Sequence, residues 1–180
     1  MCSRTRTQAG FTLFELLVTI TVAAVVIAIG VPSFAKFGAR NRQAAEINAL
    51  FHAVHLARKT SIMRRQVISL CPSTDGLRCA PGRDWSMGWL MFENLDRDEP
   101  PQVDAAEPVI SFHAVDERVR VSANRRGFTL RATHLRATNG TLVVCDRAGR
   151  IPAKALVVSY TGRPRVTLAD SRGRPYACAH

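Results

Sequence analysis

The chain has 180 residues, 47% of them hydrophobic and 22% charged, which is enough for one membrane helix and one globular domain. Two core-bearing domains beside such a helix would not fit comfortably. The formal charge is +11, and its distribution is uneven: residues 11–70 carry seven basic and two acidic groups, residues 71–117 three and ten, and residues 118–180 thirteen and two. The C-terminal third is a polycation, which points to a polyanionic partner.

In chain order, residues 1–10 carry Arg4 and Arg6, no acid and no apolar run. They are too short and polar to be the apolar core of a secretory signal. Residues 16–35 contain no charge, and twenty residues at the helical rise extend about 30 Å, the thickness of a bilayer's hydrocarbon core. This segment can span a membrane. Glu15 stands at its start, and a carboxylate in a membrane helix costs about 2.5 to 3.5 kcal/mol at mid-bilayer, so Glu15 needs a partner. Pro32, after Gly30, predicts a bend or local melting. Beyond it Phe34, Phe37, Ala44, Ile47, Leu50, Phe51, Val54 and Ile62 recur at helical spacing. One long helix over residues 11–65 is predicted, membrane-spanning over 11–35, with Arg40, Arg42, Glu46 and Arg58 solvated. His52 and His55 lie three apart on it without a third ligand nearby, so they read as a solvated or interfacial pair.

Basic leader, Gly10, Phe11 and Glu15, followed by an uncharged helix, resemble the N-terminus of a type IV prepilin. The resemblance implies cleavage between Gly10 and Phe11 by a prepilin peptidase, N-methylation of Phe11, and pairing of Glu15 with a neighbouring subunit's ammonium during filament assembly. It implies an inner-membrane, single-pass precursor with a periplasmic globular domain that passes into a filament with other pilins. Removal of the leader leaves 170 residues and +9 on side chains.

After Arg65 the period changes to short strands, predicted over 67–71, 89–92, 109–113, 119–122, 127–132, 141–145, 156–160 and 166–168. Their regular spacing predicts antiparallel β-structure over residues 66–180, giving an α+β fold with the long helix packed on a β-rich domain. Asn94, Asp96 and Asp98 alternate like the start of a calcium loop, but Glu99 takes the glycine position and Ala105 that of the bidentate acid. The sequence has no C-x-x-C and no zinc-finger histidine spacing, so no metal and no cofactor are expected. Cys2 goes with the leader, leaving Cys71, Cys79, Cys145 and Cys178 in a compartment where disulfides persist. Four cysteines permit three pairings. Pro72 and the Asp75-Gly76 turn make closure of Cys71 on Cys79 easy, which leaves Cys145 for Cys178.

The order of helix, Cys-Pro-Ser-x-Asp-Gly-x-x-Cys, Trp-Ser-x-Gly-Trp-Leu-x-Phe, acidic loop and β-rich tail is similar to the FimT/GspH group of minor pilins and pseudopilins, over nearly the whole mature chain. Trp85, Gly88, Trp89 and Phe92 read as core. A FimT-type minor pilin belongs to a type IV pilus, primes or decorates its tip, and in competent bacteria binds DNA for uptake. A GspH-type pseudopilin instead serves type II secretion without binding DNA. Gly162-Arg163-Pro164-Arg165 matches the Gly-Arg-x-Arg motif of DNA-binding FimT proteins and favours the first, with double-stranded DNA as the sequence-independent partner. Arg172 and Arg174 repeat the type nearby, and a Cys145–Cys178 bond is expected to hold both loops to one part of the domain. An enzyme is not expected: no phosphate loop, no Ser/His/Asp spacing and no paired carboxylates in an apolar setting occur.

Overall fold

The computed structural model describes residues 10–132 and 136–178, so most of the expected leader lies outside the described residues. The chain divides into two compact units, Met1–Phe37 and Gly38–His180. Helix α1 runs Leu13–Arg64 and belongs to both. In the first unit Thr12 starts the helix, its Oγ1 accepting the Glu15 N–H at 3.2 Å. Thr19 and Thr21 donate back to the carbonyls of Leu16 and Val18, at 2.8 Å each, so their hydroxyls need no water. An 18-residue window here reaches a mean hydropathy of 2.5 and none of it is buried within the chain. The helix is unbroken through Pro32, where the sequence predicts a bend or melting.

The second unit holds two four-stranded antiparallel sheets. One has the order β3-β2-β1-β5, with β1 Ile68–Pro72, β2 Gly88–Glu93, β3 Val109–Ala114 and β5 Phe128–Leu130. The other has the order β4-β6-β7-β8, with β4 Val119–Ala123, β6 Gly140–Asp146, β7 Lys154–Val158 and β8 Pro164–Thr167. The period-2 alternation sorts side chains to two faces. Ile68, Leu70, Trp89 and Met91 join Leu142, Val144, Leu156 and Val158 of the second sheet in one core, against Ile47, Leu50, Val54 and Ala57 of α1. Cys71, Leu90 and Phe92 form a second cluster, against which Cys79 and Val103 pack. The Cys71–Cys79 disulfide ties the loop after β1 to that cluster. Trp85 is buried with its ring 5.7 Å from that of Phe128.

The helical stripe is corrected in three places. Phe34 and Phe37 are exposed in the first unit, and Ile62 is 51% exposed at the end of the helix, beyond the last core contact at Ala57. Glu46, read as solvated, is buried: its carboxylate accepts the Asp116 N–H at 3.0 Å and lies 2.9 Å from His113 Nε2. Gln43 is likewise buried, its amide donating to the carbonyls of Val144 and Pro152 at 2.9 Å each. Two polar side chains thus clip one helix face to both sheets.

Candidate nucleic-acid interface

The Gly-Arg-x-Arg stretch forms the turn of the β7–β8 hairpin. Its backbone closes through Ser159 N–H to the Arg163 carbonyl at 3.1 Å and Gly162 N–H to the Ser159 carbonyl at 2.8 Å. Ser159 Oγ braces it, accepting the Arg163 N–H and donating to the Arg163 carbonyl, both at 3.2 Å. Gly162 has φ +68°, which L-residues rarely adopt, and a Cβ there would stand 2.9 Å from Leu130 Cδ1. Glycine lets the turn settle on the core. Arg163 and Arg165 flank the buried Pro164, so both guanidiniums leave the same face, and both residues are exposed. Neither meets an acid among the described residues.

Around this turn the fold gathers further cations. Arg58 of α1 donates to the Thr161 carbonyl, and the Arg136 guanidinium lies 5.4 Å from the centre of the Tyr160 ring. Arg131 donates to the Arg136 carbonyl at 3.1 Å and pairs with Glu99 at 2.8 Å. A groove of about 360 Å³ runs between Arg58, Arg131, Arg136, Tyr160, Thr161 and Gly162. Glu99 also borders a neighbouring cleft of about 420 Å³ that carries Arg83, Arg125 and Arg126. Val158 pairs with Gly140, and Ala123 with Leu142, so the 124–126 corner and the 159–163 turn share one end of the second sheet.

The expected union of the two Arg-rich loops is corrected. Ala155 pairs with Thr167 and Val157 with Arg165, so the antiparallel register puts residues 170–174 at the end of β8 away from the 159–163 turn. The Cys145–Cys178 disulfide holds the tail to that far end, because Cys145 lies near the Asp146 terminus of β6. Part of the charge there is balanced. Asp170 accepts the backbone N–H groups of Arg172 and Arg174 at 2.8 and 2.9 Å and pairs with the Arg174 guanidinium at 2.9 Å. Those backbone bonds, that of Arg174 foremost, hold the Asp170 carboxyl below its ordinary value. Arg150 is held in the same way by Asp146 at 2.7 Å, and its side-chain hydrogen bond lowers the Asp146 pKa. Arg172 has an exposed side chain with no acid partner among the described residues.

In the acidic loop Glu107 accepts the N–H groups of Leu95 at 2.6 Å and Asp104 at 3.1 Å, and Asn94 donates to Asp98 at 3.0 Å. Asp96, Asp104 and Glu107 place carboxylate oxygens within 4.8 Å of one another. Burial, then the neighbouring Asp96, raises the Asp98 pKa. His52 and His55 are exposed, His55 leaning on Phe51 at 4.6 Å. In the first unit Gly10, Phe11 and Glu15 are exposed, and among the described residues no group partners the Glu15 carboxylate.

The family profile described as Type II transport protein GspH matches residues 46–162, which contain both sheets up to the β7–β8 turn. The chain belongs to the GspH family. A second profile, the prokaryotic N-terminal methylation motif, matches residues 5–31 of this GspH-family protein. No curated protein sequence matches it significantly. Among solved structures it is similar to the type IV minor pilin FimU of Pseudomonas aeruginosa in two crystal forms. In one the identity is 20%, with 76% of this chain and 98% of FimU covered and a TM-score of 0.52. In the other the identity is 19%, the coverage 79% and 99%, and the TM-score 0.54. The minor pseudopilin EpsH from the type 2 secretion system of Vibrio cholerae matches at 10% identity and a TM-score of 0.49, over 70% of this chain and 96% of EpsH. The shared fold is the pilin type, an N-terminal helix on antiparallel sheets.

The resemblance drawn from the sequence thus stands at the level of family and fold. Sequence reasoning missed Arg58 as a member of the basic end. Its signal was slight: it sits on α1, 103 residues from its partner Thr161.

Proposed function

We propose that this GspH-family protein is a minor pilin of a type IV pilus that binds double-stranded DNA without sequence preference through Arg163 and Arg165. One observation carries the reading: a braced glycine turn presents two guanidiniums without acid partners on one exposed face, at the sheet end where Arg125, Arg126 and Arg136 also lie. A guanidinium holds a phosphate bidentately, and phosphate contacts position a duplex without reading its bases. Arg172 and Arg174 contribute less, since they sit at the far end and Asp170 balances Arg174. The precursor is anchored in the inner membrane by the apolar part of α1 and matured between Gly10 and Phe11, with Glu15 as the assembly residue; residues 1–10 are the leader and 66–180 the β-rich domain. The family description supports a second reading, a type II secretion pseudopilin that binds no DNA.

The test is a titration of labelled duplexes of unrelated sequence with the full chain in detergent micelles. Wild type should bind all of them in the non-specific range of roughly 10⁻⁴ to 10⁻⁶ M, with log affinity falling by about 0.9 per neutralised phosphate in log salt. Arg163→Gln/Arg165→Gln should lower affinity about tenfold or more and flatten the salt slope by about two phosphates' worth. Arg172→Gln should change little. Equal binding by the double variant and wild type would reduce the motif to a turn, and no binding at low salt would favour the secretion reading.

A further inference from the structure

The groove beside the turn holds more than point charges. Tyr160 is 54% exposed; it lies three residues before Arg163, and the Arg136 guanidinium lies over its ring. Its backbone is fixed: the Tyr160 carbonyl accepts the Ala137 N–H at 2.9 Å, and the two bonds closing the 159–163 turn flank it. The Arg136 guanidinium lies 5.4 Å from the ring centre, and no acid pairs with it among the described residues. Arg58, also without an acid partner there, is held at the groove by the Thr161 carbonyl. Only Arg131 in this set has its charge balanced, by Glu99.

An exposed ring bordered by unbalanced guanidiniums is the combination that holds single-stranded nucleic acid, because every base has a π-face that stacks and every phosphate a charge to neutralise. A paired duplex hides those faces inside its own stack. Only an unpaired nucleotide presents both a free base and a phosphate to one groove, and a groove of about 360 Å³ admits a group of that kind. Resting on the DNA-binding reading above, we propose that Tyr160, with Arg136 over one face of its ring and Arg58 at the groove wall, offers its other face as a stacking platform for an unpaired base. The site then prefers DNA with a single-stranded segment over fully paired duplex. Arg163 and Arg165 hold the backbone on either kind of DNA, and the Tyr160 ring adds the selectivity.

The experiment compares a blunt duplex, the same duplex with a single-stranded oligo-dT extension, and oligo-dT alone, at one low salt concentration, using the full chain in detergent micelles. Wild type should bind the extended duplex about tenfold more tightly than the blunt one. Tyr160→Ala should abolish that difference, Tyr160→Phe should keep it, and Tyr160→Trp should keep or widen it. Equal affinity of wild type for blunt and extended duplex, or a preference surviving in Tyr160→Ala, would overturn the platform while leaving phosphate binding by Arg163 and Arg165 intact. If wild type binds no DNA, or Arg163→Gln/Arg165→Gln binds all three probes like wild type, the underlying DNA-binding reading fails and the platform with it.

Discussion

Gly162 shows how one residue sets the geometry of the basic end. Its φ of +68° costs an L-residue about 1 to 2 kcal/mol, and an added Cβ would meet Leu130 Cδ1 at 2.9 Å and Arg58 Cδ at 3.8 Å. Leu130 is fully buried and has no room to retreat. We expect Gly162→Ala to destabilise the domain by about 2 kcal/mol, read from thermal or denaturant unfolding in micelles. It should also lift the turn off the helix and loosen the contact between Arg58 and the Thr161 carbonyl, weakening DNA binding with both motif arginines still in place. Unchanged stability would show that the turn can form without the left-handed conformation.

At the scale of elements, the question is what holds α1 to the sheets besides Ile47, Leu50, Val54 and Ala57. Glu46 is buried and meets both the Asp116 N–H and His113 Nε2, while His113 itself stacks on Trp89 with ring centres 4.3 Å apart. Removing a buried acceptor strands its donors, at about 1 to 3 kcal/mol. Glu46→Ala should therefore cost about 2 to 3 kcal/mol and Glu46→Gln, which keeps a carbonyl for the Asp116 N–H, about half that or less. Urea unfolding measures both, and a loss under about 0.5 kcal/mol in Glu46→Ala would show the clip to be incidental. The helix itself was legible because twenty uncharged residues followed by a three-and-four spacing admit little else. Glu46 was not, since an acid beside such a stripe reads as solvated until residues 67 and 70 positions further on are seen to reach it. The Gly-Arg-x-Arg turn was legible as a glycine between strands. Its company was not: strand order and register put Arg125, Arg126, Arg131, Arg136 and Arg58 near it and carried Arg172 and Arg174 away. A meander alternates ends, so that separation follows once β7 and β8 are known to be neighbours.

For the whole molecule, the two units differ in the surface they offer to a solvent. The second carries its own core and nearly all the charge, whereas the described part of the first exposes an apolar helix face on every side, with Glu15 and Lys36 its only charged groups. At the start of that apolar run the Glu15 carboxylate is unpartnered among the described residues, a state that costs up to about 2.5 to 3.5 kcal/mol, the value at mid-bilayer. We propose that the remedy is a neighbouring subunit. On the reading proposed above, cleavage after Gly10 would create an ammonium on Phe11, which in a neighbour displaced along the filament would meet Glu15 and neutralise it. Two substitutions separate the steps. Gly10→Val should block maturation, leaving intact mass in membrane extracts that still includes residues 1–10. Glu15→Val should be cleaved normally and retained in the membrane, more comfortably than wild type, but should be depleted at least tenfold from sheared filaments, the counterpart of losing about 1.4 kcal/mol or more of subunit attraction. Wild-type protein that keeps Met1 in the filament fraction would overturn the cleavage, and Glu15→Val incorporated at wild-type levels would overturn the pairing.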